Sequence, residues 1–268
     1  MTGRISLPLT VAISVVLLSF ATTPGFSAAI DAERRTCADR NATGPDKITS
    51  CTIVLNDPSD PSAHANAYHN RGIGYLLLRN LDRAIVDFDA AIKQDPKFAY
   101  AYSARAFAYC SKGEHGRGIE DAEQAIKLKP QSAELIATRG TCNEEKGQWA
   151  EALADFTEAI KLNPNDYRHY NSRADIYRDH DNERAALADY ATAIRLSPDN
   201  VQSYRKRGSL FFDRDEVDNA LADFDMVIKL DPTDKSAYAA RSYLYKQKGD
   251  TARAVADLEQ ARKLGWKK

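Results

Sequence analysis

A period of 34 residues constrains this chain more than any other feature of it. Pro96, Pro130, Pro164, Pro198 and Pro232 recur at that spacing, and six windows of the same length run from Ala65 to Lys268. Inside the first window Tyr68, Gly72 and Tyr75 lie at helical spacing, and so do Leu81, Ala84, Ile85, Phe88, Ala91 and Ile92. The pattern predicts two amphipathic helices of about 14 residues per window. Each window therefore reads as a helical hairpin. One hairpin cannot bury its own apolar face, so neighbours must supply the core, and a stacked array follows.

Two columns of small residues locate the contact inside each hairpin. The place of Gly72 recurs as Ala106, Gly140, Ala174, Gly208 and Ser242, and that of Ala84 as Gly118, Ala152, Ala186, Ala220 and Ala254. Helices cross at close range only where side chains are small, so these columns mark where the first helix meets the second. A third column, Ala91, Ala125, Ala159, Ala193, Val227 and Ala261, fits packing of each hairpin on its successor. A charged pair of columns runs beside them. Arg71, Arg105, Arg139, Arg173, Arg207 and Arg241 are each followed sixteen residues later by Asp87, Asp121, Asp155, Asp189, Asp223 and Asp257. Cations and anions matched at a fixed offset read as ion pairs between packed helices. Whether each Arg meets the Asp of its own or of the preceding window stays open in the sequence.

Tyr68, Gly72, Tyr75, Ala84, Phe88, Ala91 and Pro96 match the signature of the tetratricopeptide repeat (TPR), which this chain resembles over about three quarters of its length. The resemblance implies an all-α, right-handed α-solenoid with six full repeats at 65–98, 99–132, 133–166, 167–200, 201–234 and 235–268. It also implies a concave groove lined by first helices that holds a segment of a partner protein. Mapped onto this chain, the groove places include Asn66, His69, Tyr100, Phe107, Thr141, Glu144, Asn171, Asp175, Arg178, Arg205, Phe212 and Tyr243. One subclass grips the C-terminal carboxylate of cytosolic chaperones with Lys, Asn and Arg at fixed places. Here His69, Ile73, Ala104, Glu134 and Thr138 stand there, so that role is not expected.

Residues 1–29 carry a single charge, Arg4, then the apolar run from Leu9 to Ala21 and the small residues Ser27, Ala28 and Ala29. That is the layout of a secretory signal, with cleavage expected after Ala29. An uncleaved membrane anchor is the alternative, although the run is near the lower limit of roughly 17 residues for a spanning helix even when extended back to Ile5, and Pro8 interrupts that extended run. Residues 30–64 read as a degenerate opening hairpin and linker, with helices expected over 31–40 and 47–55 and Asp46 as the cap of the second. Export implies oxidising conditions. A Cys37–Cys51 disulfide across that hairpin is expected, two free thiols being the alternative; the bridge would contribute on the order of 3 kcal/mol. Cys110 and Cys142 stand two places apart in register on successive first helices, and read either as a second bridge or as two buried thiols.

No chemistry emerges from the remaining residues. His64, His69, His115, His169 and His180 fall at unrelated places in the period, with no nucleophile and carboxylate at a catalytic spacing. No catalytic, metal or cofactor residue is assigned. The formal net charge of −1 becomes −2 once Arg4 leaves, so no basic field favours nucleic acid or anionic lipid. The sequence reading is a non-catalytic, exported scaffold or adaptor, periplasmic or secreted, with a protein or peptide partner and no membrane contact after cleavage. Two alternatives accompany it. One is a solenoid binding an apolar or glycan ligand through Tyr100, Phe107 and Cys110; the other is a membrane-anchored structural subunit.

Overall fold

The computed structural model describes residues 24–267, so the apolar run of the expected signal lies outside the described residues. Among the described residues the chain is all-helical, and it divides into two compact units, one ending at Lys129 and the other starting at Pro130. The first unit holds α1 (Pro24–Ala38), α2 (Gly44–Leu55), a 3-10 turn (Pro61–Ala63), α3 (His64–Leu77), α4 (Leu81–Gln94), α5 (Ala99–Ser111) and α6 (His115–Leu128). The second holds α7 (Ala133–Glu145), α8 (Trp149–Leu162), α9 (Tyr167–Asp179), α10 (Glu183–Leu196), α11 (Val201–Asp213), α12 (Val217–Leu230), α13 (Lys235–Gln247) and α14 (Thr251–Lys263). Within each unit consecutive hairpins stack as an α-solenoid, as the period requires. Among the described residues no helix is long and apolar enough to cross a membrane.

Each of the six repeats turns in the same way between its two helices. The chain enters the left-handed region at Arg79, Gly113, Gly147, Asp181, Asp215 and Gly249, with φ between 57° and 82°. The next N–H then reaches back to the carbonyl five residues earlier, as from Asn80 to Tyr75 and from Gln148 to Asn143, at 2.9 and 2.8 Å. This is the Schellman closure that satisfies the last carbonyls of a helix. The side chains of Asn80, Asn182 and Asp250 then cap the following helix by accepting from Arg83, Ala185 and Arg253.

The small columns are the hairpin contacts. A Cβ added at Gly72 would lie 2.5 Å from Phe88, and at Gly208 it would lie 3.0 Å from the Cβ of Asp223. The third column is fully buried throughout, from Ala91 to Ala261.

The Arg and Asp columns meet within each repeat. Nε and Nη2 of Arg71 donate to both oxygens of Asp87 at 2.8 and 2.7 Å, and the same bidentate geometry joins Arg105 to Asp121, Arg139 to Asp155, Arg173 to Asp189, Arg207 to Asp223 and Arg241 to Asp257. The partner is thus the repeat's own Asp. A further donor, Nη1, points to the preceding hairpin: Arg105 to Asp89, Arg173 to Thr157 and Arg241 to Asp225, each two places after that hairpin's own Asp. Before Arg207 the corresponding residue is Ala191, which offers no acceptor. Tyrosines one turn away flank several of these guanidiniums, as Tyr170 and Tyr177 do for Arg173 at 5.9 Å. One side chain therefore closes its own hairpin and ties it to the one before.

The opening hairpin differs from expectation at its ends. Its first helix runs Pro24–Ala38 instead of over 31–40, and so passes through the site of the expected cut after Ala29. The second starts at Gly44, because Thr43, and not Asp46, is the cap: the Thr43 hydroxyl accepts from the Asp46 N–H at 3.3 Å. Pro45 falls at the start of that helix, where its fixed φ suits the first turn and its missing N–H costs nothing. Cys37 and Cys51 are bonded, with Cα atoms 4.9 Å apart, and both are buried against Val54 and Ala67.

Candidate functional site

Helical spacing puts every third or fourth residue of a first helix on one face, and the structure divides the expected groove residues among several roles. In the first unit Asn66 is exposed and lines an open depression with Pro61, Gln94 and Phe98. His69 is packed between Phe88 and Phe98, with ring centroids 5.8 and 5.0 Å away. Burial is the main cause that pulls its pKa down to about 4, so at neutral pH it is an uncharged wall. Tyr100 is half-buried, and Lys129 lies over its ring at 4.5 Å while donating to its hydroxyl at 3.2 Å. Phe107 keeps 42% of its surface exposed.

Cys110 does not belong to the accessible face. It is 2% exposed, and its sulfur lies 2.1 Å from where a Cβ at Gly118 would sit, which explains the glycine at that place in α6. An apolar or glycan site built on Tyr100, Phe107 and Cys110 therefore lacks its third member.

In the second unit Thr141 bonds back to the carbonyl of Ala137 in its own helix at 3.1 Å. Asn171 is 7% exposed, not groove-lining: its Nδ2 donates to Ser203 Oγ at 2.7 Å and joins α9 to α11. Arg205 pairs with Asp234, the residue that caps α13. These three serve the scaffold. Phe212 and Tyr243 pack ring against ring at 5.2 Å, and Tyr243 remains 54% exposed.

Asp175 and Arg178 belong to a polar network. Asp175 accepts from the Tyr190 hydroxyl through Oδ1 at 2.6 Å and from Lys206 through Oδ2. Arg178 pairs with Asp179 at 2.8 Å and lies 3.5 Å from Asp175. Burial, then the hydrogen bond to Asp175, pushes the Tyr190 phenol well above its usual range, so it stays a donor. Beside this network stands Glu144. Burial is the first cause and Asp175 the second that push its carboxyl up to about 7, with Lys206 opposing and Asp179 and Glu145 adding to the rise.

Sequence reasoning missed Lys206 and Tyr190. Lys206 occupies a column whose other members are Asn70, Ala104, Thr138, Ser172 and Ala240, so a lone long cation there was the available signal. Tyr190 stands in the column of Phe88, Phe156 and Phe224, where a hydroxyl on a core aromatic marks a polar end beyond the core.

Models of the tetratricopeptide repeat match residues 65–98 and 133–166, a second such model matches 174–235, and a third 236–264. No curated protein gives a significant sequence match. Among solved structures, pilF of Pseudomonas aeruginosa is 20% identical with a TM-score of 0.67, over 76% of this chain and 93% of that one. PilW, described as a widely conserved type IV pilus biogenesis factor, is 18% identical with a TM-score of 0.66, over 74% and 92%. YrrB, described as a TPR protein with an unusual peptide-binding site, is 20% identical with a TM-score of 0.53, over 66% and 92%. At such identities the likeness is one of fold.

Proposed function

Because the chain belongs to the tetratricopeptide repeat family, whose members are generally protein-interaction scaffolds, we propose that it is an exported, non-catalytic scaffold or adaptor of the cell envelope. A segment of a partner protein binds along the first-helix faces. The observation that carries this reading is what remains after the scaffold has taken its share. Small residues close the hairpins, and the Arg and Asp columns tie them together. First-helix aromatics are nevertheless left about half exposed, Phe107 at 42% and Tyr243 at 54%. Water-exposed aromatic surface on a rigid scaffold is a common recognition element. The peptide-binding site named for YrrB and the pilus-biogenesis role named for PilW lend support to a peptide partner and an envelope setting.

Photoreactive residues placed at Phe107 and at Tyr243 test the binding face, with Val86 of α4, 65% exposed, as the second-helix control. Protein adducts at the first two positions are expected. If both fail while Val86 captures protein, the reading is wrong. Export is tested separately by N-terminal sequencing of chain recovered from a Gram-negative host. A start at Ile30 supports cleavage, whereas retention of residues 1–29 favours the anchored alternative.

A further inference from the structure

Glu144, near the end of α7, is half-buried, and among the described residues its side chain makes no ion pair or hydrogen bond. The cations nearby are already engaged. Lys206 on α11 is held by Asp175, and Arg178 on α9 by Asp179 and Asp175. Facing Glu144 are Asp175 and Asp179 from α9, Glu145 from its own helix and Lys206 from α11. Lys206 thus faces Glu144 but is bonded to Asp175, and Glu144 has no ion pair of its own.

A second observation is independent of charge. Asn171 is 7% exposed and spends Nδ2 on Ser203 of α11, while its Oδ1 is buried without a hydrogen-bond partner. It precedes Asp175 by four residues, one turn away on the same face of α9. An unmet buried acceptor costs free energy that a donor from a ligand can recover. On the same run of first helices lies the apolar element, the Phe212–Tyr243 pair.

We propose that this face of the second unit receives a partner-protein segment carrying a lysine or arginine side chain. Its cation sits against Glu144 and Asp175, and an apolar side chain of the same segment lies on Phe212 and Tyr243. The proposal rests on the scaffold reading and names the class of partner. An acidic segment or a nucleic acid is disfavoured because both local cations are already paired. A calcium or magnesium ion fits poorly, since each takes six or more oxygen ligands and Asp175 already accepts from Tyr190 and Lys206. An ammonium or guanidinium brings several donors of its own, which match a bare carboxylate and an orphaned amide oxygen.

Binding of a cation requires Glu144 ionised, and its carboxyl titrates at about 7. The ionised fraction rises from about 0.1 at pH 6 to about 0.9 at pH 8, so apparent affinity should rise about tenfold over that interval. The test uses random peptides displayed on phage and selected at pH 8 against the full chain. Expected are peptides that pair one Lys or Arg with an aromatic or large aliphatic residue. A synthetic copy should bind about tenfold more tightly at pH 8 than at pH 6. Glu144→Gln, which preserves shape, should remove that pH dependence and weaken binding at pH 8. Tyr243→Ala should weaken binding at both values and leave the dependence in place. Circular dichroism of both variants verifies folding. Selected peptides without basic enrichment, or binding indifferent to Glu144→Gln yet lost in Tyr243→Ala, would overturn the cation seat and leave the scaffold reading standing. Failure to select any peptide, together with absent crosslinks at Phe107 and Tyr243, would overturn both.

Discussion

Replacing Asp189 by Asn removes the charge that faces Arg173 while keeping the side chain's shape. Arg173 then retains one neutral acceptor where it had two charged ones at 2.7 and 2.9 Å, and one of its N–H groups faces an amide N–H. Hydrogen bonds to charged groups contribute about 1.5–3 kcal/mol each. Breaking one side of a buried pair costs about 3–5 kcal/mol. The side chains of Arg173 and Asp189 are 17% and 10% exposed, and Arg173 also keeps Thr157 and two flanking tyrosines. The cost should therefore fall near the lower end, about 2–4 kcal/mol. For a chain of this size that lowers the thermal midpoint by roughly 5–12 °C. The double variant Arg173→Met with Asp189→Leu removes charge from both sides and should cost less than about 1 kcal/mol. The outer contact gives an internal comparison. Asp225 bonds Nη1 of Arg241 at 2.7 Å, but its side chain is 53% exposed, so Asp225→Asn should cost under about 1 kcal/mol. Thermal unfolding followed by circular dichroism reads all three. If Asp189→Asn and Asp225→Asn shift the midpoint equally, or the double variant is as unstable as Asp189→Asn, the ladder is not a buried pair and the reasoning fails.

Glycine substitutions separate backbone strain from steric contact. Gly147 has φ of +80° with nothing within 4 Å of an added Cβ, so Gly147→Ala should cost about 1–2 kcal/mol through the backbone alone. Gly72→Ala should also destabilise, although alanine favours helix, because its Cβ would meet Phe88 at 2.5 Å; urea titration of both variants provides the readout. Glu144 makes stability pH-dependent. Its folded carboxyl keeps its proton up to about 7, whereas the unfolded one releases it near 4.5, so its contribution falls as pH rises from 4.5 through 7. Glu144→Gln should be nearly neutral at pH 5 and stabilising at pH 8, on the order of 1 kcal/mol after discounting for solvent at a half-buried group; midpoints at the two pH values decide. Non-reducing peptide mapping of exported protein should recover Cys37 linked to Cys51, and the same map tests the second bridge the sequence offers, Cys110 to Cys142, against its alternative of two buried thiols. Separately alkylatable Cys110 and Cys142 would refute the second bridge.

Sequence alone determined the hairpins, the columns that close them and the partnership of the Arg and Asp columns. The reason is physical: the same contact recurs in every repeat, so whatever it demands is printed at a fixed interval. A requirement for smallness at Gly72 and its counterparts shows as a column of Gly, Ala and Ser, because each must pass close to the second helix. The cap at Thr43 was harder to read, since Gly44 and Pro45 look like a turn until Pro45 is seen at the first turn of a helix.

Tertiary structure decided what period cannot encode. An offset of sixteen residues fits the Asp of the same hairpin as well as a neighbour's; only helix placement shows that Nε and Nη2 stay within the repeat while Nη1 crosses to the previous one. Likewise, sequence places Asn171 and Glu144 alike on a first-helix face. Packing then buries Asn171 against Ser203 and leaves Glu144 beside carboxylates without a cation of its own. Lys206 reaches Asp175 across a hairpin boundary, and Tyr190 sends a hydroxyl from the core to the same acid. These contacts occur once and depend on side-chain length and direction, which leave no periodic trace in the chain; the repeats build the face, and single departures from them give it its chemistry.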